Sequence, residues 1–145
     1  MSAGGVVVGV DGSEGSARAL RWAFEEARRR GARLQAVFAW SYLDQPEGKF
    51  DAAYGEDDAG RQLDEALDAV AGDFDDVDVE RVVVCDLAAR ALLDASRDAD
   101  LLVVGSRGVG GFKGLLLGSV GQQVVQHAPC PVVVVPGDER AGSTG

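Results

Sequence analysis

Two glycine-rich stretches carry the residue types from which an anion site is built. The first, Gly9-Val10-Asp11-Gly12-Ser13-Glu14-Gly15-Ser16, follows a run of valines and opens a helical periodicity. A carboxylate at the end of such a strand, here Asp11, can accept hydrogen bonds from a ribose or help hold a hydrated metal ion. The competing reading is an N-cap, in which Asp11 or Ser13 satisfies the free backbone N–H groups of the helix start. The second stretch runs Gly105-Ser106-Arg107-Gly108, then nine residues, then Gly118-Ser119-Val120. A strand, an arching loop and a helix N-terminus are the parts of a phosphate cradle, because glycines at 105, 108 and 118 let backbone N–H groups approach an anion with no Cβ in the way. Ser119 adds a hydroxyl donor, and the helix dipole favours negative charge. The plainer reading of these glycines is loop punctuation with one C-cap and one N-cap.

The spacing excludes two common phosphate motifs. Lys113 is followed by Gly114 and Leu115, so no Walker A loop is present, and Gly108-x-Gly110 meets Lys113 where a dinucleotide fingerprint needs its third glycine. Catalysis by an activated nucleophile lacks its base: the single histidine, His127, falls at the end of the last helical segment, away from the anion-binding end, where interaction with the helix dipole is its expected role. Asp11 could orient a water at a terminal phosphate, which allows slow turnover at most. Cys85 and Cys130 stand without CxxC or His/Cys spacing and read as buried free thiols of a reducing compartment.

Residues so placed need a scaffold that brings strand ends together. Continuous β-branched runs at Val6–Val10, Leu34–Ala39, Val79–Val84, Leu101–Val104 and Val132–Val135 alternate with helical periodicities, the pattern of a parallel sheet covered on both faces. Ala17, Leu20, Phe24 and Ala27 mark the first helix, which Gly31 stops; Leu63, Leu67 and Val70 mark the second; Ala88, Leu92, Ala95 and Ala99 the third; Val120, Val124 and His127 the fourth. The order βαβαβαβαβ with right-handed crossovers predicts an α/β fold, a single doubly wound open sheet of five parallel strands with helices on both faces. Its ligand crevice lies at the carboxyl ends of the strands, where both glycine turns fall. The aperiodic stretch from Ser41 to Gly60 reads as a long loop, and residues 137–145 as a flexible tail after a single domain over 1–136. Trp40 and Tyr42 could stack on a base, although covering the sheet edge is the commoner use of such residues. Trp22 falls off the buried face of the first helix.

Composition limits the partners. A chain of 145 residues with 14 basic and 24 acidic side chains has a formal net charge of -10, which at long range repels nucleic acid and anionic lipid. With no apolar run of spanning length and no signal-like start, a cytoplasmic location is expected.

The string Gly-2x-Gly-9x-Gly-Ser, at Gly105, Gly108, Gly118 and Ser119, resembles the nucleotide-binding motif of the universal stress protein family. The opening VVVGVDGS, the DADLLVVGSRG segment and the closing HAPCPVVVVP resemble the first, fourth and fifth strand regions of that family. The resemblance runs from Val6 to Pro136 and implies an adenine nucleotide alpha hydrolase-like, Rossmann-like fold of the ATP-binding subclass. It implies that Asp11, with Gly12 and Ser13, lies beside ribose and phosphates, that Ala39 meets adenine, and that Val104 lies near the nucleoside. Gly105, Arg107, Gly108, Gly118, Ser119 and Val120 would hold the phosphates, and Mg²⁺, with Asp11 beside it, would offset charge together with Arg107 and Lys113. One departure is Phe38, where many members carry His. A homodimer through the edge strand Val132–Val135 is also implied, and a nucleotide-independent dimeric module is the alternative from a different class. A ligase or pyrophosphatase of this fold would want Ser-Gly-Gly-x-Asp-Ser after the first strand, where this chain reads Val10-Asp11-Gly12-Ser13-Glu14-Gly15. A cyclic-nucleotide-binding variant stays open.

Overall fold

The computed structural model describes residues 4–41, 55–106 and 118–137. Five strands and four helices alternate: β1 (Val6–Gly9), α1 (Glu14–Arg30), β2 (Leu34–Trp40), α2 (Glu56–Ala71), β3 (Val79–Cys85), α3 (Ala88–Ala95), β4 (Leu101–Gly105), α4 (Ser119–His127) and β5 (Val132–Val135). All pairings are parallel and the sheet order is β3-β2-β1-β4-β5. The doubly wound α/β reading of the sequence therefore holds, and every expected strand is present with its ends moved by no more than one residue. The winding reverses between β1 and β4, where Val6 lies level with both Leu34 and Leu101.

The valine runs are explained by cover on both faces. Val6, Val8, Leu34, Ala36, Phe38, Leu101 and Val103 pack under α1 and α2, while Val7, Val37, Leu102 and Val104 pack under α3 and α4. A strand buried on both sides cannot alternate polar and apolar residues. On α1 the buried face is Ser16, Ala19, Leu20, Ala23, Phe24 and Ala27. Ala17, expected on that face, is exposed, because the stripe that meets the sheet passes through Ser16 and Ala19 instead. Gly31 ends the helix as expected, in a left-handed conformation with φ 65°, and Ala32 N–H then bonds the Ala27 carbonyl at 2.9 Å.

Four other expectations are corrected. Of the stretch expected as a loop to Gly60, Glu56–Gly60 instead begin α2, with Gly55 as N-cap, and residues 42–54 lie outside the described residues. Three acids there favour the positive helix end, and the Asp58 carboxylate accepts the Gly55 N–H at 3.0 Å. Hydrogen bonding from Arg61 and Gly55 holds the Asp58 carboxyl below the usual carboxylate range. Ala99 lies beyond the end of α3, and His127, at the end of α4, is exposed and off the packed face. Cys85 is exposed and Cys130 is only partly buried, because the former ends an edge strand and the latter precedes one. Trp22 is partly buried against the α1/α2 core. No described helix is long and apolar enough to cross a membrane.

Phe74, in the acidic connection after α2, is a core residue that helical spacing could not reveal. Its ring stacks on Phe24 with centroids 5.2 Å apart, and the Arg28 guanidinium lies 4.5 Å from its centroid on the solvent side. Arg21 adds an exposed ion pair to Asp73 at 3.3 Å. The aromatic pair and its cation fasten the α2–β3 connection to α1, and area burial, more than the surface charges, supplies the energy.

Phe74→Ala is expected to lower stability by about 3 kcal/mol through the cavity left beside Phe24, read as a shifted urea midpoint at unchanged slope. The thiols should separate in reactivity. Burial pushes the Cys130 thiol up, with the nearby Asp100 charge adding to the effect against a lowering hydrogen bond with Ser96. Alkylation followed by peptide mass mapping should modify Cys85 before Cys130 at neutral pH.

Candidate functional site

The crevice at the reversal point is built from the two turns that leave β1 and β4. Val10 N–H still bonds the Val37 carbonyl at 2.9 Å, after which the chain leaves the sheet at Asp11. Gly12 adopts φ 86°, a left-handed conformation that side chains disfavour, and nothing lies within 4 Å of where its Cβ would stand. Ser13 is the N-cap of α1: its hydroxyl oxygen accepts the Ser16 N–H at 3.1 Å. Asp11 secures the cap without being it. One of its carboxylate oxygens, Oδ1, accepts the Ser13 N–H at 2.9 Å and the Ser13 hydroxyl as well. The cap reading thus belongs to Ser13, and Asp11 keeps its carboxylate at the surface of the crevice, where the residue is exposed.

The β4 turn is pinned at both ends. Ser106 N–H continues the ladder to the Val135 carbonyl at 2.9 Å, and the Ser106 carbonyl accepts the Gly118 N–H at 2.7 Å. That bond returns the chain to the sheet and starts α4 beside β4. Gly118, the N-cap, offers no side-chain acceptor, and the first helical bond runs from Gln122 N–H to the Gly118 carbonyl at 3.0 Å. The amides of Ser119, Val120 and Gly121 consequently have no acceptor within the helix, at the end where its dipole is positive. α1 has a side-chain cap in Ser13, whereas α4 has none among the described residues.

Close approach of the two turns depends on Gly105. A Cβ there would stand 2.8 Å from the Gly15 carbonyl oxygen and 3.4 Å from Ser16 N, so β4 ends directly against the first turn of α1. Gly9 plays a similar part on the other face, where a Cβ would meet Leu92 Cδ1 at 2.9 Å. Ala39, Val104 and Val120 all belong to the α3/α4 side of the sheet. The structure therefore gathers Asp11, Gly12, Ser13, Gly105, Gly118, Ser119 and Val120 about the reversal point, with Ala39 and Val104 on one face beneath it. Arg107, Gly108, Lys113 and Tyr42 lie outside the described residues. Trp40 packs with the α1/α2 core, on the face opposite Ala39, with its ring 4.0 Å from the Cβ position of Gly55. It covers the start of α2, and a base against Ala39 would not stack on it.

Sequence reasoning passed over Ser106, Gly9 and Ser16. Ser106 acts through its backbone, which no side-chain type announces; Ser16 is marked by its place three residues after Ser13, the spacing at which an N-cap meets its N–H partner. Among the described residues no group of three or more His, Cys, Asp or Glu side chains could hold a metal ion. A cavity of about 540 Å³ opens at the opposite, amino end of the sheet, beside Arg33, Gln35, Glu80 and Asp100. Its polar groups serve the fold: Arg33 pairs with Glu80 at 3.1 Å, and the Asp100 carboxylate accepts the Gly5 N–H at 3.1 Å.

Gly105→Ala is expected to drive β4 from the first turn of α1 and to lower stability by about 1–3 kcal/mol, measured by chemical denaturation against a neighbouring surface substitution.

The family model described as the universal stress protein family matches residues 4–136. Universal stress protein Rv2005c of Mycobacterium tuberculosis is 46% identical over 130 residues, covering 89% of this chain and 44% of the relative, so the chain spans under half the length of the curated relative it matches. A universal stress protein solved in complex with cAMP is 29% identical at TM-score 0.65, covering 94% of this chain and 98% of that one. The Archaeoglobus fulgidus universal stress protein solved in complex with dAMP is 25% identical at TM-score 0.64, covering 93% and 99%. With the family model matched over residues 4–136, the chain belongs to the universal stress protein family.

Proposed function

We propose that this chain is an ATP-binding module whose output is a nucleotide-dependent conformation or a partner interaction, and not a catalyst. The observation that carries this is the Ser106–Gly118 hydrogen bond, which sets a helix start with no side-chain cap among the described residues at the same end of the sheet as Asp11. A polyanion fits donors arranged in that way. The α4 amides at Ser119 and Val120, with the glycines at 105, 108 and 118 and the Arg107 side chain, hold the phosphates. Asp11, Gly12 and Ser13 lie beside the ribose, Val104 beside the nucleoside and Ala39 beside adenine.

The donor set also fits Mg²⁺ in one manner only. Among the described residues a single carboxylate, Asp11, is offered by the two turns, so the ion would take most of its oxygens from phosphates and water, as Mg²⁺ commonly does. When bound it supplies charge neutralisation. That matters here because the triphosphate brings about four negative charges to a chain of net charge -10. At physiological ionic strength the Debye length is roughly 8 Å, so distant acids weigh little against the local dipole, Arg107 and Lys113.

No activated nucleophile or base is placed at this end of the sheet among the described residues. His127 is nine residues along at the far end of α4, so turnover would be slow at most. Partners would read the difference between the nucleotide-bound and nucleotide-free states. The edge strand Val132–Val135 is apolar and only partly buried in the single chain, which favours pairing with a second copy. We place this module in the cytoplasm, without nucleic-acid or membrane partners. A second reading, cyclic AMP in the same crevice, draws support from the relative solved with that ligand; a nucleotide-independent dimer is the reading left if both fail.

Acid extraction of the purified protein, with chromatography of released nucleotides, is expected to yield ATP. Calorimetric titration should give MgATP binding that Asp11→Ala and Gly118→Ala abolish, the second because a methyl group at that buried N-cap narrows the approach to the α4 amides. Binding of cyclic AMP in preference to ATP would select the second reading. No nucleotide and no binding with Mg²⁺ present would leave the dimeric interaction module.

A further inference from the structure

We propose that Ser16 is a positioning residue of the nucleotide site, acting through the backbone of Asp11. The assignment rests on the nucleotide reading above. Ser16 is 5% exposed, one of two buried polar residues among the described residues. A buried hydroxyl is costly unless both its donor and its acceptor capacity are used. Here both are: the Ser16 hydroxyl donates to the Ser13 carbonyl at 3.1 Å, and its oxygen accepts the Asp11 N–H at 3.2 Å.

Helix formation alone does not ask for this hydroxyl. α1 already has its cap in Ser13, whose hydroxyl takes the Ser16 backbone N–H, and alanine at position 16 would serve the helix at least as well. What the hydroxyl adds is an acceptor for Asp11. Val10 N–H is the last amide of the β1 segment to find a partner on β2. At Asp11 the chain has left the sheet, and Ser16 supplies the acceptor that a neighbouring strand no longer gives. The bonds then close on themselves. Asp11 carboxylate holds the Ser13 N–H and hydroxyl, Ser13 holds the Ser16 amide and hydroxyl, and Ser16 holds the Asp11 amide.

The same residue abuts the second glycine turn. The vacant Cβ position of Gly105 lies 3.4 Å from Ser16 N, so any shift of this turn of α1 is felt at the end of β4. Ser16 thereby fixes the height of the Asp11 carboxylate above the sheet and its distance from the α4 donors, without itself facing the ligand. Removing the hydroxyl leaves the helix, the α4 amides and the Asp11–Ser13 bonds in place and takes the Ser16 acceptor from the Asp11 amide, so the backbone at Asp11 is held less tightly.

The test compares wild type, Ser16→Ala and a control, Ala17→Gly, which weakens the first turn of α1 at an exposed position without touching the Asp11 amide. MgATP titration is expected to show about tenfold weaker binding for Ser16→Ala, the loss of one hydrogen-bonded constraint, and less than about twofold change for Ala17→Gly. Hydrogen exchange by NMR in the ligand-free protein should show the Asp11 amide exchanging about tenfold faster in Ser16→Ala than in the control, with core amides of β1 unchanged. The assignment is overturned if Ser16→Ala keeps wild-type affinity, if Ala17→Gly loses as much, or if Asp11 exchange does not change. Wild type that binds no ATP overturns the nucleotide reading, and this assignment with it, whereas wild-type binding with an unaffected Ser16→Ala overturns the assignment alone.

Discussion

The pairing of β1 with β4 at the centre of the sheet is the constraint on which everything else rests. It is where the winding reverses, so the connections leaving the two strands turn to opposite faces and leave a crevice between them. A crevice of this kind is only as narrow as the residues at its lip permit. Glycine at 105 lets the end of β4 touch the backbone of Gly15 and Ser16, and the whole first turn of α1 is held at that distance. Without that contact the carboxylate of Asp11 and the amides of α4 would be parts of two separate turns.

The polar economy of the two helix starts is unequal, and the inequality is informative. At α1 three side chains, Asp11, Ser13 and Ser16, spend their hydrogen bonds on one another and on local backbone. That end is rigid by its own means. At α4 a glycine takes the cap position, and the chain is anchored by a backbone bond to Ser106 instead. A hydrogen-bonded turn bearing a carboxylate and a helix start without a side-chain cap thus lie at the same end of the sheet, an arrangement that uses few charged groups in a strongly acidic chain. Local dipoles act over distances shorter than the screening length, which is why net charge says more about nucleic acid and lipid than about a small anion held at close range.

Ala39, Val104 and Val120 are found together for a reason of parity. In a parallel sheet successive residues alternate faces, so the strand residues on the α3/α4 side at the carboxyl edge are fixed once the register is fixed. Trp40 follows Ala39 and must face the other way, which turns an aromatic with the chemistry to stack on a base into cover for the start of α2.

The sequence by itself determined the strands, the helix order, the glycine turns and the family, because these depend on local pattern: β-branched runs, 3.6-residue spacing, and glycine where backbone must be bare. It also carried the candidate site residues, since a motif of spaced glycines is read along the chain. Tertiary structure decided what depends on residues far apart meeting: Phe74 stacked on Phe24, Gly105 against Gly15, Trp40 turned from the crevice, Cys85 left exposed on an edge strand. It also settled the roles of Asp11 and Ser13, which local pattern left interchangeable. Both are good caps by residue type, and only the direction in which the chain leaves β1 makes one of them the cap and the other its support.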